Sequence, residues 1–311
     1  GDNWCISFRQ TTNKFRGEKV SKYKLISNKD FDAVSLFSGG LDSFCGAIKL
    51  LSEKKNTCFI GFREYNLLGK RQQELFNALD NYYDDINKEI LLFNVIPRKP
   101  LNMPEEMAKY GTESTSRSRS LLFLAGALAV ASIIGKDIPV YIPENGFIGI
   151  NVPLTDSRSG SCSTRTTHPY FLRLFNALLK TVGIKNEIIN FYALYTKGEI
   201  VEEFSNLPVF KEYAKNTISC SHPCQSRYDG IVPPKNCGYC YPCLIRKAAM
   251  NRIKYDEDSY YNQNYSLTNN FISMYDNPDG KASDLRAMLL SLNRFLENQD
   301  DENYLNYILL F

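Results

Sequence analysis

Ser38-Gly39-Gly40-Leu41-Asp42-Ser43 decides the reading of this chain. It follows the apolar run Ala33-Val34-Ser35-Leu36-Phe37 and leads into a helical pattern that begins at about Asp42 and continues through residues 43–51. Two glycines let a backbone turn tightly and bring its N–H groups against an anion with no Cβ in the way. The helix that follows points its positive end at the same place. Ser38 and Ser43 add hydroxyl donors, and Leu41 contributes its backbone N–H. Asp42 would repel a bare phosphate, so its expected role is to help hold Mg²⁺. The stretch lacks the Gly-Lys-Ser/Thr ending of a Walker A loop and is not a dinucleotide G-x-G-x-x-G.

Outward from the loop, strands and helices alternate. Residues 57–62 read as a second strand, with a helix over 70–83. Residues 90–95 read as a third strand, 118–134 as a long buried helix and 140–142 as a fourth strand. A helix over 171–182 and an apolar strand over 188–194 complete the series. This rhythm predicts an α/β fold, with a Rossmann-like parallel sheet covered on both faces. Residues 1–30 read as a strand-rich extension, with alternating runs at Cys5-Ile6-Ser7-Phe8 and Tyr23-Lys24-Leu25-Ile26. The expected division is a phosphate-loop domain over 31–200, a metal module over 201–255, and a linker with C-terminal helices over 256–311. In that tail Leu285, Met288, Leu289, Leu292, Phe295 and Leu296 form a stripe at helical spacing, read as core or as a self-association face.

Five of the nine cysteines fall between positions 220 and 243. Cys237, Cys240 and Cys243 follow a Cys-x-x-Cys-x-x-Cys pattern, with Cys220 and Cys224 upstream. Four thiols at such spacing suit tetrahedral zinc, and Gly238 and Pro242 suit the turns of a knuckle. Cys220, Cys237, Cys240 and Cys243 are the expected Zn²⁺ ligands, with Cys224 as a rival to Cys220; an iron–sulfur cluster is the competing occupant. The scattered Cys45 and Cys58 sit in apolar surroundings and read as buried thiols. A metal knot plus buried thiols predicts a reducing, cytoplasmic setting.

The charge balance is +3, from 37 basic and 34 acidic residues. That is too small for a nucleic-acid coat, and no basic stripe interleaved with aromatics appears, so nucleic acid is not an expected partner. No run approaches the ~18 apolar residues of a membrane helix. The opening Gly1-Asp2-Asn3-Trp4 has the pattern of neither a signal nor a transit peptide.

Ser-Gly-Gly-x-Asp-Ser between strand and helix resembles the PP-loop (HUP-type) ATP pyrophosphatases. Taken with Cys-Gly-x-Cys-x-x-Cys-Leu-x-Arg near the end, the chain resembles the 7-cyano-7-deazaguanine synthase (QueC) family over roughly residues 32–250. Arg119-Ser120-Leu121-Leu122-Phe123, the segment from Tyr195 through Val201, and Arg246 match family segments in order. The resemblance implies that ATP is bound through Ser38, Gly39, Gly40, Leu41, Asp42 and Ser43, with Mg²⁺. It implies that Arg119 and Lys197 supply catalytic cations beside Asp42, and that a deazapurine carboxylate attacks the α-phosphate and expels pyrophosphate. An amine then displaces AMP. One family segment, Gly-Tyr-Pro-Asp-Cys-Arg after the fourth strand, has no counterpart here. Glu144 and Asn145 stand there instead, to read the base edge of a substrate or merely to make a turn. The polar run 155–168 reads as a surface loop or a lid, and His168 as structural or catalytic.

Extra terminal segments and an altered pocket resemble QueC-like proteins of bacterial anti-phage operons. Those relatives imply a ligase that forms an amide with ammonia or with an amine of a partner protein. The alternatives are ordinary nitrile synthesis and a tRNA thiolase carrying an iron–sulfur cluster. Homodimerisation, common in the family, is a further implication.

Overall fold

Thr57–Phe62 forms a strand in which Phe59 enters one hydrophobic layer while Cys58 and Ile60 enter the opposite one, the alternation a pleated strand imposes. That strand lies inside a five-stranded parallel sheet. The computed structural model describes residues 30–95, 119–150, 166–255, 261 and 283–301. The strands are β1 (Ala33–Leu36), β2 (Thr57–Phe62), β3 (Lys88–Phe93), β4 (Val140–Tyr141) and β5 (Ile188–Ile189), in the order β3-β2-β1-β4-β5. Every pairing is parallel, with Val34 opposite Cys58 on one side and Val140 on the other. The strand order reverses between β1 and β4. Open α/β sheets bind ligands at such a reversal, outside the carboxyl ends of the strands. The expected α/β class is the observed one.

Helices cover both faces. One layer packs α1 (Leu41–Ser52) and α2 (Asn66–Tyr82) with α6 (Lys197–Phe204) and α7 (Pro208–Tyr213). The other packs α3 (Arg119–Ile134) and α5 (Pro169–Thr181). Between them in sequence comes the short α4 (Gly146–Ile150). A third, smaller core gathers α8 (Tyr241–Arg252) and α9 (Ser283–Glu297) around the cysteines. Helix α6 spans the boundary expected at residue 200.

Several boundaries shift for identifiable reasons. Helix α2 starts four residues before the expected position, with Tyr65 as its N-cap and the Tyr65 carbonyl accepting from Gly69 N at 3.2 Å. The apolar run 188–194 forms a strand only at Ile188–Ile189. There the Asn190 side chain takes over: Nδ2 donates to the Glu144 carbonyl at 2.8 Å, and Oδ1 accepts from Tyr192 N at 3.0 Å. Helix α3 was expected to be buried; Leu124, Ala127, Leu128 and Ala131 are, whereas Leu121 and Ile133 are exposed among the described residues. His168 is the N-cap of α5, with Nδ1 accepting from Tyr170 N, and so has a structural role. The tail stripe divides: Leu285, Met288 and Leu289 pack on the cysteine core, while Leu292, Phe295 and Leu296 are exposed. The expected strands within 1–29, Cys5, Cys162, and most of the polar run and linker lie outside the described residues.

Candidate active site

The phosphate loop closes on itself before it offers anything to a ligand. Gly39 adopts φ +81°, a left-handed turn that favours glycine. The Ser43 hydroxyl donates to the Gly40 carbonyl at 3.0 Å, and Ser38 Oγ accepts from Gly40 N at 3.2 Å. Gly40 is the N-cap of α1 and provides no side-chain cap, so first-turn N–H groups beyond that of Leu41 are left for an anion. From α2, the buried Gln72 donates through Nε2 to the carbonyls of Phe37 and Ser38, at 3.1 and 3.2 Å. Those bonds tie the loop's carbonyls to α2. Gln72 was not picked out from sequence. Its signal is a lone amide on the otherwise apolar face made by Gly69, Leu75, Phe76 and Leu79.

Behind the loop lies a buried polar cluster. Lys197, the first residue of α6, is positioned by a capping box in which Thr196 and Glu199 satisfy each other's backbone N–H. Its Nζ lies 2.5 Å from Asp42 Oδ1. The other Asp42 oxygen accepts from Asn145 Nδ2 at 2.7 Å. Burial alone would raise the Asp42 pKa, but the Lys197 ammonium and these hydrogen bonds hold it below the usual carboxylate value. A Mg²⁺ on Asp42 would have to share the carboxylate with that ammonium. Asn145, expected to meet substrate, is wholly buried; its Oδ1 accepts from Ile148 N at 3.0 Å, so it supports Asp42 and starts α4. Glu144 is different. Burial first, then the nearby Asp42 charge, raises its pKa to about 8, so the carboxyl is protonated at neutral pH.

Among the described residues, three cavities meet at the loop. The innermost, of about 230 Å³, is bounded by Ser38, Gly40, Ser43, Glu144, Lys197 and Ser219. A second, of about 290 Å³, lies over the carboxyl ends of β1, β2 and β3 and is mainly apolar, with Phe62, Phe93 and Phe123 in its wall. Phe62 stands edge-on to Phe93 with ring centres 5.4 Å apart, and 4.9 Å from Phe123. Ser38, Ser43 and Glu144 line both cavities. The third is an open groove of about 550 Å³ between α2 and the cysteine module, reaching Ser38 and bordered by Tyr65, Arg119, His222, Cys224 and Arg227. The structure therefore separates the two expected catalytic cations. Lys197 is in the inner cavity, whereas Arg119 lines the groove and pairs with Glu64 at 2.5 Å.

The sulfurs of Cys220, Cys237, Cys240 and Cys243 all lie within 4.8 Å of one another. Cys220 and Cys240 are 3.8 Å apart and Cys237 and Cys243 3.9 Å. Thiolates about 2.3 Å from one tetrahedral zinc would be roughly 3.8 Å apart. The set therefore fits a single ion, since a body of several irons would spread its four thiolates further. Backbone N–H groups of His222 and Cys237 donate to Cys220 Sγ, and that of Cys240 to Cys237 Sγ, which favours the thiolate form. Gly238 makes the knuckle at φ +90°. Cys224 stands apart in the groove.

The segment before the first thiol reaches the phosphate loop. Ile218 N donates to Gly39 O at 2.8 Å, and Leu41 N donates to Ser219 Oγ at 3.2 Å. The segment is held by Arg246 of α8, fully buried, which donates to Thr217 O, Thr217 Oγ1 and Ala214 O. Asn236 adds a second clasp through Ser219 N and Thr217 O. The N–H of Leu41, expected to face the nucleotide, is thus held by Ser219.

No protein-family model matches the chain. Two curated proteins do. A 7-cyano-7-deazaguanine synthase from Saccharolobus solfataricus is 26% identical over 264 residues, covering 78% of this chain and 49% of the relative. The 7-cyano-7-deazaguanine synthase 2 of Sulfurisphaera tokodaii is 26% identical over 246 residues, 74% of this chain and 48% of that one. The chain is a distant relative of these synthases. It spans about half the length of the curated relatives it matches. Among the described residues no helix is long and apolar enough to cross a membrane.

Two outcomes follow from this geometry. A carboxyl whose pKa is raised by folding contributes stability below its unfolded value and loses it as pH rises through about 8. Glu144→Gln should therefore flatten the fall in urea midpoint between pH 5 and pH 8.5; an unchanged slope in the variant would refute a protonated Glu144. Elemental analysis should find one metal per chain, retained in Cys224→Ser and lost in Cys240→Ser. Loss in both variants would place Cys224 in the coordination shell.

Proposed function

We propose that the chain is an ATP-dependent ligase which adenylylates the carboxylate of a 7-carboxy-7-deazaguanine-type acid and then forms an amide. The observation that carries this reading is the junction of two cavities at Ser38, Ser43 and Glu144. One has serine hydroxyls and the Lys197 ammonium in its wall to meet a polyphosphate, and the other is an aromatic slot suited to a purine-like ring. The names of the two relatives supply the substrate class.

In this mechanism the loop N–H groups and the Lys197 ammonium stabilise charge that moves onto pyrophosphate as it leaves. A carboxylate oxygen attacks the α-phosphorus, and the P–O bond to pyrophosphate breaks. An amine then attacks the acyl carbon, loses a proton, and expels AMP. The protein needs no nucleophile of its own; its contribution is orientation and preorganised charge. Mg²⁺, when bound, would neutralise polyphosphate charge through the nucleotide's own oxygens. Zn²⁺ in the four-thiolate site would be structural, with no coordination position left for water.

The acceptor proposed is an amine of a partner protein, in an anti-phage system, reached through the open groove. A partner that enters as a chain needs such a groove, whereas ammonia does not. The relatives' names favour a second reading, ordinary nitrile synthesis from ammonia with a second ATP. The buried thiols Cys45 and Cys58 and the four-cysteine cluster suit a reducing cytoplasm.

Mass spectrometry of reactions with Mg-ATP, the carboxy-deazaguanine, and either ammonia or candidate partner proteins tests this. The expected products are AMP, pyrophosphate and an amide, with the adduct mass naming the acceptor. A nitrile as end product supports the synthase reading instead. ADP and phosphate, or nucleotide left intact under every condition, would overturn both.

A further inference from the structure

Ser219 is on no phosphate-binding motif, yet its hydroxyl bonds the phosphate loop and borders the inner cavity. Its Oγ accepts from Leu41 N at 3.2 Å and from Arg246 Nη1 at 3.4 Å. A serine hydroxyl has two acceptor lone pairs and one donor hydrogen. The Leu41 bond uses one lone pair and leaves the hydroxyl hydrogen to donate, and Ser219 borders the inner cavity with Ser38, Gly40, Ser43 and Lys197. The point where Gly40 would carry a Cβ lies 3.2 Å from Ser38 Oγ and 3.7 Å from Ser219 Oγ, so the two hydroxyls flank the same turn of the loop.

We propose that Ser219 is a phosphate-binding residue contributed to the loop by the cysteine module, its hydroxyl donating to a polyphosphate oxygen of the nucleotide. Arg246 lies directly behind it, and a guanidinium donating to that oxygen makes the hydroxyl a stronger donor. The Leu41 N–H, which would otherwise face the anion, is passed on through the same hydroxyl. Because Ser219 is followed by Cys220, metal binding fixes the donor, and the phosphate cradle is complete only with the module folded. The proposal rests on the reading of the loop as a polyphosphate site, but not on the identity of the acid.

The test uses the full chain and three probes: Mg-pyrophosphate, Mg-ATP and adenosine, measured by calorimetry on the parent, Ser219→Ala and Ser219→Thr. Hydrogen bonds to charged groups are strong enough that Ser219→Ala should weaken pyrophosphate and ATP about 10-fold or more. Adenosine affinity and metal content should be unchanged, and Ser219→Thr should recover most of the loss. Equal pyrophosphate affinity in parent and Ser219→Ala would overturn the proposal and leave the loop reading intact. So would an equal loss for adenosine, because that indicates a distorted site. A parent chain that binds neither pyrophosphate nor ATP would overturn the loop reading and this proposal together.

Discussion

The buried ion pair between Asp42 and Lys197 fixes the relation of every part of this site. Its charged atoms are 2.5 Å apart, with the two side chains only 8% and 7% exposed. Charges withdrawn from water this far are costly unless they are closely paired and hydrogen-bonded, and removing one partner of such a pair typically costs about 3–5 kcal/mol. The pair joins the first turn of α1 to the first turn of α6, and through Asn145 it also binds the chain just past β4. Three elements distant in sequence are thereby held at one point, directly behind the phosphate loop. Glu144, adjacent to that pair, adds a neutral carboxyl because burial, and then the Asp42 charge, disfavour a second negative charge there.

The loop is also held from its other side. Gln72 restrains the carbonyls of Phe37 and Ser38, and Ile218 N takes the carbonyl of Gly39. With these acceptors occupied, and Gly40 N and Leu41 N bonded to Ser38 and Ser219, the loop is held rigid and little reorganisation is needed when an anion arrives. The four-thiolate module thus does more than close a distant part of the chain. It delivers Ser219 and Ile218 to the loop, and the buried Arg246 sets their position.

The layered α/β fold was legible in sequence because its strands are apolar runs separated by helix-length segments. The second strand was read with the same limits as the structure gives. The cysteine set was legible because ligand spacing is short-range information: Cys220, Cys237, Cys240 and Cys243 are together, with Cys224 apart. Contacts made across long separations were not legible. Nothing local distinguishes Ser219 or Gln72 as partners of the loop, 178 and 34 residues away respectively. The same limit explains Asn145, whose amide reads equally well as a ligand contact until the burial of Asp42 is seen. Arg119 stands at the start of a helix, as the resemblance implied, yet β2 and α2 place it on the groove with Glu64 rather than in the loop cavity.

The central claim is that an oxygen of the substrate, rather than water, attacks the α-phosphate at this loop. It is tested most directly with 7-carboxy-7-deazaguanine carrying ¹⁸O in its carboxylate, incubated with the full chain, Mg-ATP and an amine donor. The account predicts that one ¹⁸O appears in the AMP released. AMP formed without the label, or label recovered in pyrophosphate or inorganic phosphate, would contradict it.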